Sequence, residues 1–430
     1  MKILVLAHDP VGTYMSSQGI RAYYMAQVLA NALPEADVTL AVPNENDQPT
    51  LEGVRVEHYG RSSSGRLISQ HDIIISTRFS PRHVFQFRRK RFVADLFSQY
   101  FIELMELSKA AHGLQRTVWV NRNRAHVALQ LTFADFILCA NERQRDTYIG
   151  MASALGLIDP EVYDQDSTLR RYIDVAPHGV RPGEPVHTRE VLKDAYPAIR
   201  EKDTVILWNG GTVSWYDPET FLRALHLISQ ERDDIKAIFL GASYPGLSIL
   251  GHGERFTSAL ELSKELGLYE RSVFFETGWV PHEEVANYLL ESDIGLCTYF
   301  DNLETRYSHR TRFLDLFWAE LPVICTRGDV LAQMVDEDGL GITVAEGDTA
   351  GVADAIRRLV DDRPFYDLCR ANLRSIKSSL SWDITFEPLI RYCREATAPA
   401  VPKKRRLLSL LSRDAEYVLA LAVDKLVRRG

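Results

Sequence analysis

The sequence predicts an α/β protein built of two doubly wound parallel sheets, and three observations predict it. Short apolar runs alternate with helix-period segments along most of the chain. The alternation lapses once, near residues 181–203, into proline, glycine and charge. It then restarts with the same grammar. In the first half, strands are expected at residues 2–7, 37–42, 72–76, 92–96, 135–140 and 173–176. Between the first two, residues 19–33 space Ile20, Tyr23, Tyr24, Ala26, Gln27 and Leu29 at helical intervals. In the second half, strands are expected at residues 204–208, 236–240, 272–275, 293–298, 322–326 and 341–344. Amphipathic helices at 218–230, 254–266 and 283–291 separate them. Near-continuous apolar strands flanked by helices mean a sheet covered on both faces. The domains read as residues 1–183 and 184–380, both Rossmann-like, then a crossover helix at 381–397 and a basic amphipathic tail at 398–430. Placed face to face, two such domains would share a cleft at their strand C-terminal ends, where ligands bind in open sheets.

Composition narrows the function. The 430 residues carry a net charge of −8, which gives the whole molecule no attraction for nucleic acid. Five cysteines (Cys139, Cys297, Cys325, Cys369 and Cys393) are scattered, odd in number and never spaced as CxxC. Neither a disulfide scaffold nor a zinc site is expected, and a reducing cytoplasm fits. MKILVLAHD is too short an apolar stretch for a signal peptide, and no run approaches the roughly 20 apolar residues that span a bilayer.

The most informative stretch is residues 304–326, ETRYSHRTRFLDLFWAELPVICT. A helix is expected to start between Ser308 and Arg310, with Ser308 capping it and Phe313, Leu314, Phe317 and Trp318 on its buried side. Amides at that start, with Arg310 and Arg312 beside them, suit a diphosphate. An exposed ion-pair network through Arg312 and Asp315 is the plainer alternative. Upstream, Trp208-Asn209-Gly210-Gly211 ends a strand, and Asp217-Pro218 opens a helix with a cap and a first-turn proline. Paired glycines let backbone amides approach a phosphate closely, although a simple tight turn uses the same residues. Gly278-Trp279-Val280-Pro281 follows the strand at 272–275 and precedes another helix.

Taken in this order and spacing, the three segments resemble the donor domain of the "glycosyl transferases group 1" family, family four of the carbohydrate-enzyme classification. That family has the GT-B fold, two Rossmann-like domains facing a central cleft. Its Glu-x7-Glu motif precedes a G-x-P-V-[VI]-x-T strand, which Leu321-Pro322-Val323-Ile324-Cys325-Thr326 resembles. Asp315 falls on the second Glu, so the resemblance gives it the nucleotide ribose. Tyr307 occupies the first Glu slot, and Glu304 is the acid favoured for the donor sugar. The variant ETR-x-S-x-RTR-x-LD resembles a bacterial subgroup. In most of the family the glycine loop carries an Arg and a Lys; here neither is present, and Arg310 and Arg312 would supply that charge. Gly210, Gly211 and Thr311 are further donor contacts, and Trp279 and Val280 would wall the base. The resemblance implies transfer from a nucleotide-sugar with retention at the anomeric carbon, without a metal or other cofactor.

In the first half, Gly12, Gly19 and Arg21 lie where the family places a glycine-rich loop near acceptor and diphosphate, and a plain βα loop reads equally well. Asp95, at the end of the strand ending VADLF, is the carboxylate nearest an acceptor hydroxyl and the candidate general base; capping the next turn is its alternative. Pro177-His178-Gly179-Val180 resembles the family's turn into the linker. Asp164-Gln165-Asp166 and Asp336-Glu337-Asp338 spell DxD but close no expected strand, and Gly251-His252-Gly253 follows none, so neither a metal nor a nicotinamide site is expected. The tail, with Lys403-Lys404-Arg405-Arg406 before an amphipathic segment, suits an anionic membrane surface, as do Arg82, Arg88, Arg89, Lys90 and Arg91 around Phe85 and Phe87. A docked tail and a solvated loop are the alternatives. The expected partners are a nucleotide-sugar and a sugar or lipid-linked acceptor, at the inner face of the plasma membrane, in surface polysaccharide or glycolipid synthesis. A nucleotide-sugar epimerase and a non-catalytic sugar-binding protein are the rival readings.

Overall fold

The computed structural model describes residues 1–396 apart from 61, 79–82, 84, 85, 87–89, 110–112, 194 and 242–253. The tail at 398–430, most of the basic segment around Phe85 and Phe87, and Gly251-His252-Gly253 lie outside the described residues. The chain divides into two compact units: Met1–His178 with the chain from Trp382 onward, and Gly179–Ser381.

The first unit holds a parallel sheet of β1 (Lys2–Leu6), β2 (Asp37–Val42), β3 (Val54–His58), β4 (Ile73–Ser76), β5 (Arg91–Asp95), β6 (Phe136–Cys139) and β7 (Ile173–Val175). Its spatial order is β3-β2-β1-β4-β5-β6-β7. Strand order therefore reverses between β1 and β4, which pair Ile3 with Ile73 and Leu6 with Ser76. Alternation decides which side each residue covers. Ile3 and Val5 pack with Met25, Leu29, Trp382 and Phe386 on one face. Leu4 and Leu6 pack with Leu67, Phe92 and Phe133 on the other. The returning helix Glu387–Glu395 buries Leu389, Ile390 and Cys393 in the first of these layers.

The second unit repeats the plan with β8 (Thr204–Trp208), β9 (Ile235–Phe239), β10 (Val273–Phe275), β11 (Ile294–Cys297), β12 (Val323–Thr326) and β13 (Gly341–Val344). Their order is β10-β9-β8-β11-β12-β13, again parallel throughout, with the reversal between β8 and β11. Loops leaving β8 and β11 in opposite directions open a crevice at their C-terminal ends, the place where open α/β sheets take ligands. All five cysteines are buried and unbridged. Among the described residues, no helix is long and apolar enough to cross a membrane.

One local expectation is corrected. The helix at the RTR segment does not begin at Ser308. Asn302 caps a short helix first, its Oδ1 accepting from the Thr305 amide at 3.0 Å, and Leu303–Tyr307 closes at Ser308. The chain then restarts as Arg312–Trp318, which buries Phe313, Leu314, Leu316, Phe317 and Trp318.

Candidate functional site

The crevice of the second sheet gathers the loops that follow β8, β9, β10 and β11. After β8, Gly210 takes φ +98°, a left-handed conformation only glycine adopts cheaply. A Cβ there would stand 3.6 Å from Arg312 Nη2, and one on Gly211 would meet the Gly241 carbonyl at 3.3 Å. Gly241, beyond β9, also has a left-handed φ, and its open face lies against the Trp279 indole. Val280, beside it, packs on the domain core. Gly210, Gly211, Trp279, Val280, Thr311 and Arg312 thus lie at one end of one sheet. Asp217 opens the next helix as its sequence predicts, with Oδ1 accepting from the Thr220 amide at 3.1 Å and Pro218 in the first turn.

Arg312 donates from Nη2 to the Gly211 carbonyl at 2.7 Å, and its guanidinium lies 3.8 Å from the Tyr216 ring centroid. Among the described residues no carboxylate pairs with it. Along the same loop the Thr212 and Ser214 hydroxyls and the Trp215 Nε1 are buried without a hydrogen-bond partner. Leaving such groups dry and unpaired costs about 1–3 kcal/mol each. A cation with no carboxylate partner among the described residues, beside a run of unpaired polar groups, has the chemistry to receive an anion.

Arg310 and Glu304 are placed differently from expectation. Arg310 is buried, and its Nη2 donates to Glu304 Oε2 at 2.7 Å and to Thr305 Oγ1 at 2.9 Å. Its Nε lies 3.5 Å from Asp329 Oδ2, and the Tyr216 and Tyr299 rings flank it at 5.1 and 4.6 Å. Burial opposes the arginine's charge, but Glu304 and Asp329 override it and hold the pKa above the ordinary range. Glu304 and Arg310 therefore face each other, where sequence reasoning had aimed both at the donor. Asp329, which also caps the helix Val330–Glu337, was missed: its pKa is pushed up by burial while Arg310 opposes.

Asp315 does not pair with Arg312 one turn away. Its Oδ1 accepts from Arg181 Nε at 2.9 Å and its Oδ2 from Asn209 Nδ2 at 3.2 Å. Arg181 also donates from Nη1 to the His282 carbonyl at 2.6 Å and stacks over Trp318 at 5.2 Å. Burial, with Arg181 adding to it, lowers the His282 pKa to about 4. Neither Arg181 nor Asn209 was a sequence candidate. The signal for Asn209 was its place between the strand end and Gly210; Arg181 sits in the segment read as linker.

In the first domain the expected acceptor residues also partner one another. Arg21 donates from Nε to Asp95 Oδ2 at 2.8 Å and from Nη2 to Oδ1 at 2.7 Å, with both residues almost wholly buried. Its Nη1 donates to the Pro177 carbonyl at 3.1 Å, and Phe97 and Phe386 lie at 5.0 and 4.9 Å. Asp95 is thus a paired carboxylate and not the open base expected. Gly12 and Gly19 are explained by packing: a Cβ would stand 1.9 Å from the Asp47 carbonyl oxygen and 2.4 Å from that of Pro10, respectively. A small pocket does open at the reversal between β1 and β4, lined by His8, Gln18, Ser76, Thr77 and Asp95 among others. His8 donates from Nε2 to the Arg78 carbonyl at 2.7 Å, and burial lowers its pKa to about 4. Of the DxD segments, Asp166 accepts from Thr168 and Arg171, and Asp336 from the Thr343 hydroxyl. Among the described residues, no group of three His, Cys, Asp or Glu side chains is placed to hold a metal ion.

Comparison with known proteins bears on the same half. Residues 203–362, wholly inside the second unit, match a family model described as Glycosyl transferases group 1. No curated protein sequence matches the chain. Among solved structures, HepE of Anabaena in complex with UDP-glucose is similar at TM-score 0.62 and 14% identity, covering 92% of this chain and 100% of that one. WaaG, a glycosyltransferase involved in lipopolysaccharide biosynthesis, follows at 0.59 and 14%, covering 92% and 100%. Sucrose-phosphate synthase from Thermosynechococcus elongatus follows at 0.59 and 17%, covering 92% and 98%. At these identities the likeness is one of fold: two Rossmann-like, parallel-sheet domains of the GT-B type.

Proposed function

We propose that this chain is a glycosyltransferase that moves a sugar from a nucleotide-sugar donor to an acceptor hydroxyl, with its second domain holding the donor. The observation that carries the proposal is Arg312, a cation with no carboxylate partner among the described residues, against the Gly211 carbonyl at the point where strand order reverses. The group 1 match over 203–362 and the UDP-glucose held by a protein of the same fold support it. Arg312 and the amides and hydroxyls of residues 210–214 receive the diphosphate; Asp315 takes the ribose; Trp279 and Val280 border the base. As the sugar–phosphate bond breaks, negative charge grows on the departing diphosphate. A donor already fixed beside it, in a site closed to water, contributes about 3–4 kcal/mol to that step. Arg310, held between Glu304 and Asp329, braces the loop that carries Arg312 and stays off the substrate. Retention at the anomeric carbon, independence of metal ions, a lipid-linked acceptor and a place in surface polysaccharide synthesis belong to the same proposal.

Its test is release of free nucleotide from UDP-, GDP- and TDP-sugars offered with glycan and lipid-linked acceptors, in buffer containing EDTA. Arg312→Ala should lower turnover about 10²–10³-fold, in keeping with that contribution, while the fold survives. Normal turnover in a folded Arg312→Ala protein would sink the assignment. A second reading, a non-catalytic sugar-nucleotide-binding protein, is favoured by the engagement of Asp95, Glu304 and Asp315 with arginines. Tight nucleotide binding without turnover of any donor would select it.

A further inference from the structure

We infer that Arg181 is a positioning residue for the donor's ribose, acting through Asp315, and that it ties donor recognition to the segment where the chain enters the second domain. The inference rests on the nucleotide-binding reading above. Arg181 lies two residues beyond Gly179, where the second unit begins. The segment is fastened at several points. The Val180 amide donates to the Leu380 carbonyl at 2.8 Å, joining the entering and leaving segments of the chain. Trp318 Nε1 donates to the Gly183 carbonyl at 2.8 Å. Between these ties Arg181 makes its three contacts, with Asp315, the His282 carbonyl and the face of Trp318. Its side chain is only 10% exposed, so the guanidinium is fixed by its surroundings and has little freedom left to lose.

What this does to Asp315 follows from lone-pair counting. A carboxylate has about four acceptor positions. Arg181 fills one on Oδ1 and Asn209 one on Oδ2, which leaves one on each oxygen. The Asp315 side chain is 24% exposed, so part of the carboxylate reaches solvent. Two acceptors held in a fixed plane, one per oxygen, match the two adjacent hydroxyls of a ribose. Charge points the same way. An unpaired carboxylate one helical turn from Arg312 would repel the diphosphate that Arg312 receives, and Arg181 neutralises it. Competition between Arg181 and the ribose is the opposite arrangement, and it requires the arginine to leave three partners at once.

The test compares binding of UDP, GDP and ADP with that of their 2′,3′-dideoxy counterparts by calorimetry on the full chain. Losing the hydroxyls should weaken binding to the native protein by about ten- to hundredfold, the range for hydrogen bonds to a charged group. In Arg181→Gln that discrimination should shrink to within about threefold, because Asp315 is no longer oriented; Arg181→Lys, which keeps the charge but not the fork, should fall between. A merely structural role would lower the melting temperature and leave the ratio untouched. Undiminished or increased discrimination in folded Arg181→Gln or Arg181→Lys overturns the inference. Failure of all three nucleoside diphosphates to bind the native chain would overturn the donor-site reading instead, and this inference with it.

Discussion

Removing the Asp95 carboxylate should destabilise the first domain. In Asp95→Ala, Arg21 keeps the Pro177 carbonyl and two aromatic faces but loses the pairing of its Nε and Nη2. The site is almost closed to water, with the arginine side chain 1% and the aspartate 5% exposed. An uncompensated guanidinium there costs about 3–5 kcal/mol. In a domain of roughly 200 residues each kcal/mol moves the midpoint by about 2–4 °C, so a fall of about 6–20 °C is expected. Arg21→Met/Asp95→Leu removes both charges together and should recover most of the loss. Thermal and urea melts followed by circular dichroism, combined as a double-mutant cycle, measure the coupling. A midpoint for Asp95→Ala at the native value would refute the reasoning, as would a double variant no better than the single one. The same experiment separates the sequence reading from the structural one: a free general base would lose turnover and keep its midpoint.

Two further outcomes follow from packing and protonation. Gly12→Ala pushes a methyl into the Asp47 backbone and disturbs the bonds Asp47 accepts from the Thr13 amide and hydroxyl, at 2.8 and 2.7 Å. A loss of about 2 kcal/mol is expected with nucleoside diphosphate affinity unchanged, since the donor residues lie in the other domain; weakened affinity would restore a phosphate role to that loop. His8, held near pKa 4 by burial against about 6.5 when unfolded, stays neutral in the folded state. Its contribution to stability is complete above pH 6.5 and is lost as pH falls toward 4, the loss reaching about 2 kcal/mol at pH 5. His8→Gln should flatten that limb of the stability–pH profile, and an unchanged slope would count against it.

What the sequence showed and what it hid divide along physical lines. Buried parallel strands announce themselves through continuous apolar runs, so residues 37–42, 204–208 and 341–344 were read to the residue. β3 was missed because Val54-Arg55-Val56-Glu57-His58 is a partly exposed edge strand whose charges break the run. The restart near the RTR segment was misread because Ser308 looks like a helix opener, whereas it closes the short helix that Asn302 caps, and the next helix starts at Arg312 behind Thr311 with no side-chain cap. The glycine turn after β8 and the Asp217 cap were legible from local spacing. Pairings were not. Arg21 meets Asp95 across 74 positions and Arg181 meets Asp315 across 134, and no periodicity reports on such distances. Arg21 with Asp95, and Arg310 with Glu304, were assigned to ligands from the sequence and are each other's counter-ions, because a guanidinium in a closed interior needs one.

The hydrogen bond between Val180 and Leu380 also bears on how the polypeptide matures. Everything from Gly179 to Ser381 is an insert in the middle of the first domain, whose innermost layer still requires Trp382, Phe386 and Cys393. On a ribosome the amino-terminal sheet waits, one side only partly covered, until the whole insert has been translated. The inserted half, contiguous and with its two ends stitched together, has all it needs to collapse first. Biogenesis should therefore run from the middle outward, and the exposed amino-terminal half is where a chaperone would be needed.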